Sequence, residues 1–374
     1  MNKALRISAL ALAVLTLLAV FGGIVSLYVF GVPELFVPSA STTGQSASKL
    51  TTGAPITSDQ TTCTQATTLP PTEATTLPET EPPTEPPTEP PTEPPTEPPT
   101  EPPTAPPTTV PKPYQIDAKV TAVYDATNEA LLQQKGDWEQ KIYPASITKL
   151  FNAYICMQYL QPQDQITVGQ ELTLLEADAS DAGLKEGYTL TVEQLLQAML
   201  LPSGCDAACI LAVAAGRVIA QDPEMEYQQA YDLYLQTMNQ QLQELGMTGT
   251  HFTNAYGYHY EEHYTTVKDI ITITQLCLEN PQIVKCTSTY KAEVTIVSGE
   301  TFEWKNTNYV INPYSRFYVK KAVGMKTGST TAAGACLVTA YKLKGRTVII
   351  CTMGGSYFNG RYEDTAYLYK KYCT

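Results

Sequence analysis

Six consecutive Glu-Pro-Pro-Thr tetrads run from Glu81 to Thr104, and they decide where this chain cannot form a core. Proline fixes φ and has no backbone N–H, so the tract can neither propagate a helix nor pair as a strand. The wider stretch from Val37 to Pro113 is dominated by Thr, Pro, Ser and Glu and holds too little apolar surface to bury. As polyproline II, at about 3.1 Å per residue, the tetrads alone extend roughly 75 Å, and their glutamates repel one another. Residues 31–113 are therefore expected to be a disordered stalk, leaving 114–374 to fold.

Ahead of the stalk, Lys3 and Arg6 precede an uncharged apolar run from Ile7 to Phe30. As a helix those 24 residues span roughly 36 Å, enough for a tilted crossing of a bilayer core of about 30 Å. The run is longer than the apolar stretch of a cleavable signal peptide. Basic residues in front of it place a short tail, 1–6, inside, with 7–30 as a single-pass anchor and the rest outside the cell membrane.

The formal charge of −13 divides unevenly. Residues 1–113 hold four basic and ten acidic side chains, a net of −6, and the remainder carries −7. That balance argues against a nucleic-acid partner. Nine cysteines are too sparse for a disulfide scaffold. Cys156, Cys209, Cys277, Cys336 and Cys351 sit in apolar stretches and read as buried free thiols.

Within 114–374, Lys119–Tyr124 and Ala130–Gln134 read as a strand pair. Helices are expected from Ser146 to Leu160, over Thr191–Leu200, Asp206–Gly216 and Pro223–Leu245, and from a Thr266–Asp269 capping box to Leu278. Asp222 would cap the fourth of these, with Pro223 at its first position. Strands Lys291–Val297, Thr301–Lys305, Ala322–Thr327, Cys336–Leu343 and Thr347–Met353 follow, then a helix Asn359–Tyr372. The order implies one α/β (α+β) unit whose sheet draws on both ends of the chain, with the helical block as a second lobe and a site in the cleft between them.

Three motifs carry chemistry: Ser146-Ile147-Thr148-Lys149, Ser203-Gly204-Cys205 and Lys326-Thr327-Gly328. Ser146 opens a helix, whose N-terminus favours negative charge on its oxygen. Lys149, one turn on, can hydrogen-bond it. A lysine acts as a base only when burial or a second cation disfavours its charge, and Lys326 is the candidate cation. Ser203 lies on a turn between two helices, which can aim its hydroxyl into a cleft without strain. Lys326 and Thr327 on an edge strand can hold a carboxylate, and Gly328 leaves room for a peptide alongside. Alone, each motif has a plainer reading: a capping serine with a solvated lysine, a loop, a strand end. Ser46-Ala47-Ser48-Lys49 in the stalk shows how cheaply a Ser and a Lys three apart arise. His259-Tyr260-Glu261-Glu262-His263 spells a zinc-peptidase pattern, but it reads as a loop after Gly257, and no metal site is expected there.

With its flanks, the trio resembles the serine D-alanyl-D-alanine carboxypeptidases, low-molecular-mass penicillin-binding proteins. The resemblance spans about 120–372. It rests on Tyr143–Leu150, Leu200–Ala208, Asn254-Ala255-Tyr256-Gly257, His263–Thr266 with Asp269, Asn306-Thr307-Asn308, and Gly324–Thr330 with Ala333-Gly334. It implies a β-lactamase/transpeptidase-like fold: an antiparallel sheet flanked by helices, a mostly helical lobe, and the site between them. It also implies a Ser146 acyl-enzyme with Lys149 as base and Ser203 as proton relay. Lys326, Thr327, Gly328, Ser329 and Cys205 would bind substrate, and the N–H groups of Ser146 and Ser329 would form an oxyanion hole. The implied partners are a peptidoglycan stem peptide ending in D-Ala-D-Ala and β-lactam antibiotics, with no cofactor. The implied setting is the cell membrane of a thick-walled bacterium, with the catalytic domain on its extracellular side. The second motif of that family reads Ser-x-Asn, whereas Cys205 stands here, a weaker donor and acceptor. The N-terminal helix is expected to replace the family's C-terminal anchor. Transpeptidase, β-lactamase and non-catalytic sensor or wall tether are the rival readings.

Overall fold

The computed structural model describes residues 113–374, so the expected tail, anchor and stalk lie outside the described residues apart from Pro113. Among the described residues no helix is long and apolar enough to cross a membrane. β1 (Val120–Asp125) and β2 (Ala130–Lys135) come first, then α1 (Thr148–Tyr159) and a small hairpin of β3 (Gln165–Thr167) with β4 (Thr189–Thr191). The helices α2 (Val192–Leu200), α3 (Cys205–Ala220), α4 (Tyr227–Glu244), α5 (Val267–Glu279) and α6 (Pro281–Ser288) follow. β5 (Lys291–Thr295) and β6 (Thr301–Lys305) pair with each other. β7 (Ala322–Thr330), β8 (Gly334–Leu343), β9 (Arg346–Gly355) and α7 (Gly360–Tyr372) close the chain.

One antiparallel sheet, ordered β2-β1-β9-β8-β7, unites the two ends of the folded region. Its inner strands are apolar on both faces, as a sheet covered on two sides requires. Along β9, Val348 and Ile350 join a core with Tyr362 and Leu368 of α7. Ile349, Cys351 and Met353 point the other way, into the larger core beneath α1 and α5. Register alone assigns each residue to its face. The expected sheet and helical lobe are both present, and β7 lies at the sheet edge.

Four local expectations are corrected. The fourth helix begins at Tyr227, not Pro223, because Asp222 caps a turn: its carboxylate accepts the Glu224 N–H (3.0 Å). Glu226 is the true cap, accepting from Gln228 and Gln229. The box at Thr266 is half closed: Thr266 Oγ1 accepts the Asp269 N–H, while the Asp269 carboxylate instead takes the Thr250 hydroxyl (2.6 Å). Finally, α6 was not anticipated, and β5–β6 stands apart from the main sheet. Among the described residues all eight cysteines are free and buried, and burial pushes the Cys156 thiol up to about 12.

Asp206 staples the lobe to the cleft. Its buried carboxylate accepts N–H bonds from Ala182, Leu184 and Ala207, pinning the loop that carries Ser180 onto the start of α3. Removing one partner from buried hydrogen bonds leaves donors that water cannot reach. Asp206→Ala is expected to lower stability by about 3 kcal/mol, read as a fall in the denaturant midpoint at unchanged slope.

Candidate active site

The segment around Ser146 is held by its neighbours before any chemistry begins. Ala145–Ile147 form a 3₁₀ turn that runs into α1, so the Ser146 N–H belongs to the first turn, where helix donors lack intrahelical partners. Ala145 has φ +48°, unusual for a residue with a Cβ. Its carbonyl accepts from the Thr148 hydroxyl (2.9 Å), and Thr148 in turn meets His263 Nε2 (2.8 Å). Because His263 Nδ1 accepts the Thr253 N–H (3.1 Å), Nε2 carries the ring proton and donates it to Thr148. His263 is thus committed to the fold, and the His259–His263 stretch is a loop rather than a helical metal-binding face.

Gly257 (φ +91°) lies against this turn: a Cβ there would come within 1.9 Å of the Ala145 carbonyl oxygen. Gly328 approaches from the sheet, and its missing Cβ would sit 2.6 Å from the Pro144 carbonyl. The space glycine leaves at 328 faces the serine turn, so this residue lets β7 close onto Ser146, and it also lines one of the two cavities that meet at Ser146.

Lys149 is wholly buried, and its three donors reach Ser146 Oγ (3.0 Å), Cys205 Sγ (3.3 Å) and the Tyr256 carbonyl (2.7 Å). A carbonyl can only accept. When the amine is neutral, its lone pair must therefore face a hydroxyl or thiol hydrogen, and Ser146 supplies the stronger donor. Lys326, also buried, donates to the Thr327 carbonyl (3.2 Å). Burial first, and then the Lys149 charge, push its amine well below the usual lysine range. Thr327 Oγ1 lies 2.6 Å from Thr307 Oγ1.

Ser203 contradicts the expectation of an unstrained turn, since its φ is +73°. Such a conformation costs on the order of 1–2 kcal/mol without glycine and persists only when surroundings enforce it. Ser180 does the enforcing. Its hydroxyl donates to the Ser203 carbonyl (3.0 Å) and its own carbonyl accepts the Cys205 N–H (2.8 Å).

Two cavities meet at Ser146, Ser180 and Ser329. One, of about 600 Å³, runs past Cys205, Tyr256, His259 and Asp178. The other, of about 580 Å³, runs past Ser203, Thr327 and Arg361. Of the eight residues singled out from the sequence, Ser146, Ser203, Cys205, Thr327, Gly328 and Ser329 line one cavity or the other, while Lys149 and Lys326 are buried, Lys149 against Ser146 Oγ.

Sequence reasoning missed Ser180 and Arg361. The buried Arg361 guanidinium donates to Ser329 Oγ (2.6 Å), the Gly328 carbonyl (2.8 Å) and the Cys336 carbonyl (3.2 Å). The only available signal was a lone arginine in the first turn of the expected last helix.

Comparison with known proteins agrees with this geometry. The family model described as D-alanyl-D-alanine carboxypeptidase matches residues 106–357. A D-alanyl-D-alanine carboxypeptidase of Streptomyces sp. (strain K15) is 29% identical over 256 residues, covering 65% of this chain and 82% of that protein. DacF of Bacillus subtilis is 28% identical over 244 residues (64% and 58%), and DacA of Escherichia coli 27% over 267 (68% and 60%). The chain therefore spans under two thirds of the length of the last two. The crystal structure of the Streptomyces K15 DD-transpeptidase superposes with a TM-score of 0.61 at 27% identity, covering 70% of this chain and 98% of that one. Its solved variants include changes at a serine and at a cysteine two positions further on, the spacing of Ser203 and Cys205. By family match and by fold, the chain belongs to the D-alanyl-D-alanine carboxypeptidase family.

Proposed function

We propose that the protein is a serine D-Ala-D-Ala carboxypeptidase that trims peptidoglycan stem peptides and is acylated by β-lactams. The observation that carries this reading is the buried Lys149 amine 3.0 Å from Ser146 Oγ. Lys149 removes the Ser146 proton as Oγ attacks the penultimate D-alanine carbonyl. The resulting oxyanion is met by the N–H groups of Ser146 and Ser329. Ser203 hands a proton to the departing amine, and Thr327, Lys326 and Arg361 hold the terminal carboxylate. Cys205 takes no amide-like part; its sulfur orients Lys149. Water then releases the acyl group.

Slow loss of a penicilloyl group is expected, against a β-lactamase. Glu176, on the Ser180 loop, has its two carboxylate oxygens engaged by the hydroxyls of Tyr256 and Tyr260, so it is not set to activate water. The apolar run at 7–30 would anchor the chain and the 31–113 stalk would hold the 114–374 domain out towards the wall, in a role in cell-wall synthesis and shape. Given a peptide ending in D-Ala-D-Ala, the full-length protein is expected to release D-alanine and Ser146→Ala to release none above background. Release retained by Ser146→Ala would remove the nucleophile from this reading.

A further inference from the structure

The cavity on the acyl side of Ser146 carries a charge that the reaction itself does not use. With the terminal carboxylate held by Thr327, Lys326 and Arg361, the rest of the donor lies in the cavity of about 600 Å³ that runs past Cys205 and Asp178. Asp178 is the one carboxylate in its lining, and no lysine or arginine accompanies it there. Among the described residues Asp178 enters no ion pair. The His259 ring, also in the lining, is engaged edge-on with Tyr143 (4.5 Å, 79°). The buried Lys149 amine is turned to Ser146, Cys205 and the Tyr256 carbonyl.

An exposed aspartate on a loop ordinarily swings freely, but this one is held. The Tyr258 hydroxyl donates to Asp178 Oδ1 (2.9 Å). Two residues back, the Glu176 carboxylate takes the hydroxyls of Tyr256 and Tyr260. Three tyrosines of one segment, 256–260, thus clamp residues 176–178 at both ends. Tyr256 also offers the carbonyl that receives the Lys149 amine, so the clamp stands on the same segment as the lysine's own support. Asp178 Oδ2 has no donor among the described residues. A fixed carboxylate with a free oxygen favours a cationic donor and penalises an anionic one, which is how a site discriminates between substrates of similar shape.

We infer that Asp178 selects donor peptides bearing a free ammonium on the side chain of the residue that precedes the two D-alanines. This deepens the carboxypeptidase reading above and rests on it. With the penultimate D-alanine at Ser146, that residue is the next to enter the cavity, and an aminoalkyl side chain brings its N–H donors to Asp178 Oδ2. An amide formed on that amine removes the charge, as when a stem is cross-linked through it. The enzyme therefore trims stems that are not yet joined in preference to joined ones.

The test gives the full-length protein two donors, Nα-acetyl-L-lysyl-D-alanyl-D-alanine and the same peptide acetylated at its side-chain amine as well. Released D-alanine gives kcat/KM for each. The free amine is expected to be preferred about fivefold at low salt, the upper end for an exposed ion pair, and the ratio should fall towards one in about 1 M salt. Asp178→Asn, which keeps an oxygen for the Tyr258 hydroxyl, should bring the ratio close to one at low salt. Asp178→Lys should favour a donor with glutamate in place of lysine. Labelling of Ser146 by a fluorescent penicillin shows that each variant is folded. A ratio near one in the parent protein, or a preference that Asp178→Asn retains, would overturn selection by Asp178, while D-alanine release upholds the carboxypeptidase reading. Release from neither donor by the parent protein would overturn that reading and this inference together.

Discussion

Replacing Lys149 by methionine is expected to slow acylation of Ser146 by about three orders of magnitude, the usual worth of a positioned general base. The variant separates chemistry from folding. Methionine fills much of the volume of the buried lysine stem and leaves no amine to desolvate, so the loss of the donor to the Tyr256 carbonyl should cost only about 1–2 kcal/mol and leave the protein folded. What disappears is the only buried amine within reach of Ser146 Oγ among its described contacts. The second-order rate of labelling by a fluorescent penicillin reads the effect. A rate within tenfold of the parent would place the base elsewhere and leave Lys149 a structural tie between Tyr256 and Cys205.

Acid should weaken the protein through His263. Burial, reinforced by the charges of His251, His259 and Lys149, pulls its pKa down to about 3. In the unfolded chain a histidine titrates near 6.5. A depressed base stabilises the fold fully above the unfolded value, and that contribution drains away as pH falls from about 6.5 towards 3. The gap between 6.5 and about 3 corresponds to roughly 5 kcal/mol. The loss has a local consequence, since a protonated Nδ1 can no longer accept the Thr253 N–H, and the ring anchors Thr148 and thereby Ala145. His263→Gln should be less stable at pH 7 yet show a flatter decline in denaturant midpoint between pH 6.5 and 4. Parallel declines in the two proteins would assign the acid sensitivity to other groups.

Legibility differed by feature for physical reasons. Two-sided apolar alternation exposed β8 and β9, and the three motifs with their flanks named the residues that meet in the cleft. Local turn chemistry was partly readable: Asn280 followed by Pro281 is a cap and first-position signal that could have found α6, whereas Asp222-Pro223 offered the same signal and formed a turn. The positive φ of Ser203 could not be read, because Ser180, 23 residues away, imposes it. Gly328 was assigned to the site from its motif, and only the fold shows the Pro144 carbonyl packed against it as well. Arg361 lies far from every motif in sequence and becomes a neighbour of Ser329 only when α7 packs on the sheet.

The most direct measurement of the central claim is intact-protein mass spectrometry after exposure to benzylpenicillin, followed by peptide mapping. The account predicts one long-lived adduct with the mass of the whole antibiotic, located on the peptide that holds Ser146 and absent from Ser146→Ala. An unmodified parent protein, or an adduct that Ser146→Ala retains, would contradict it.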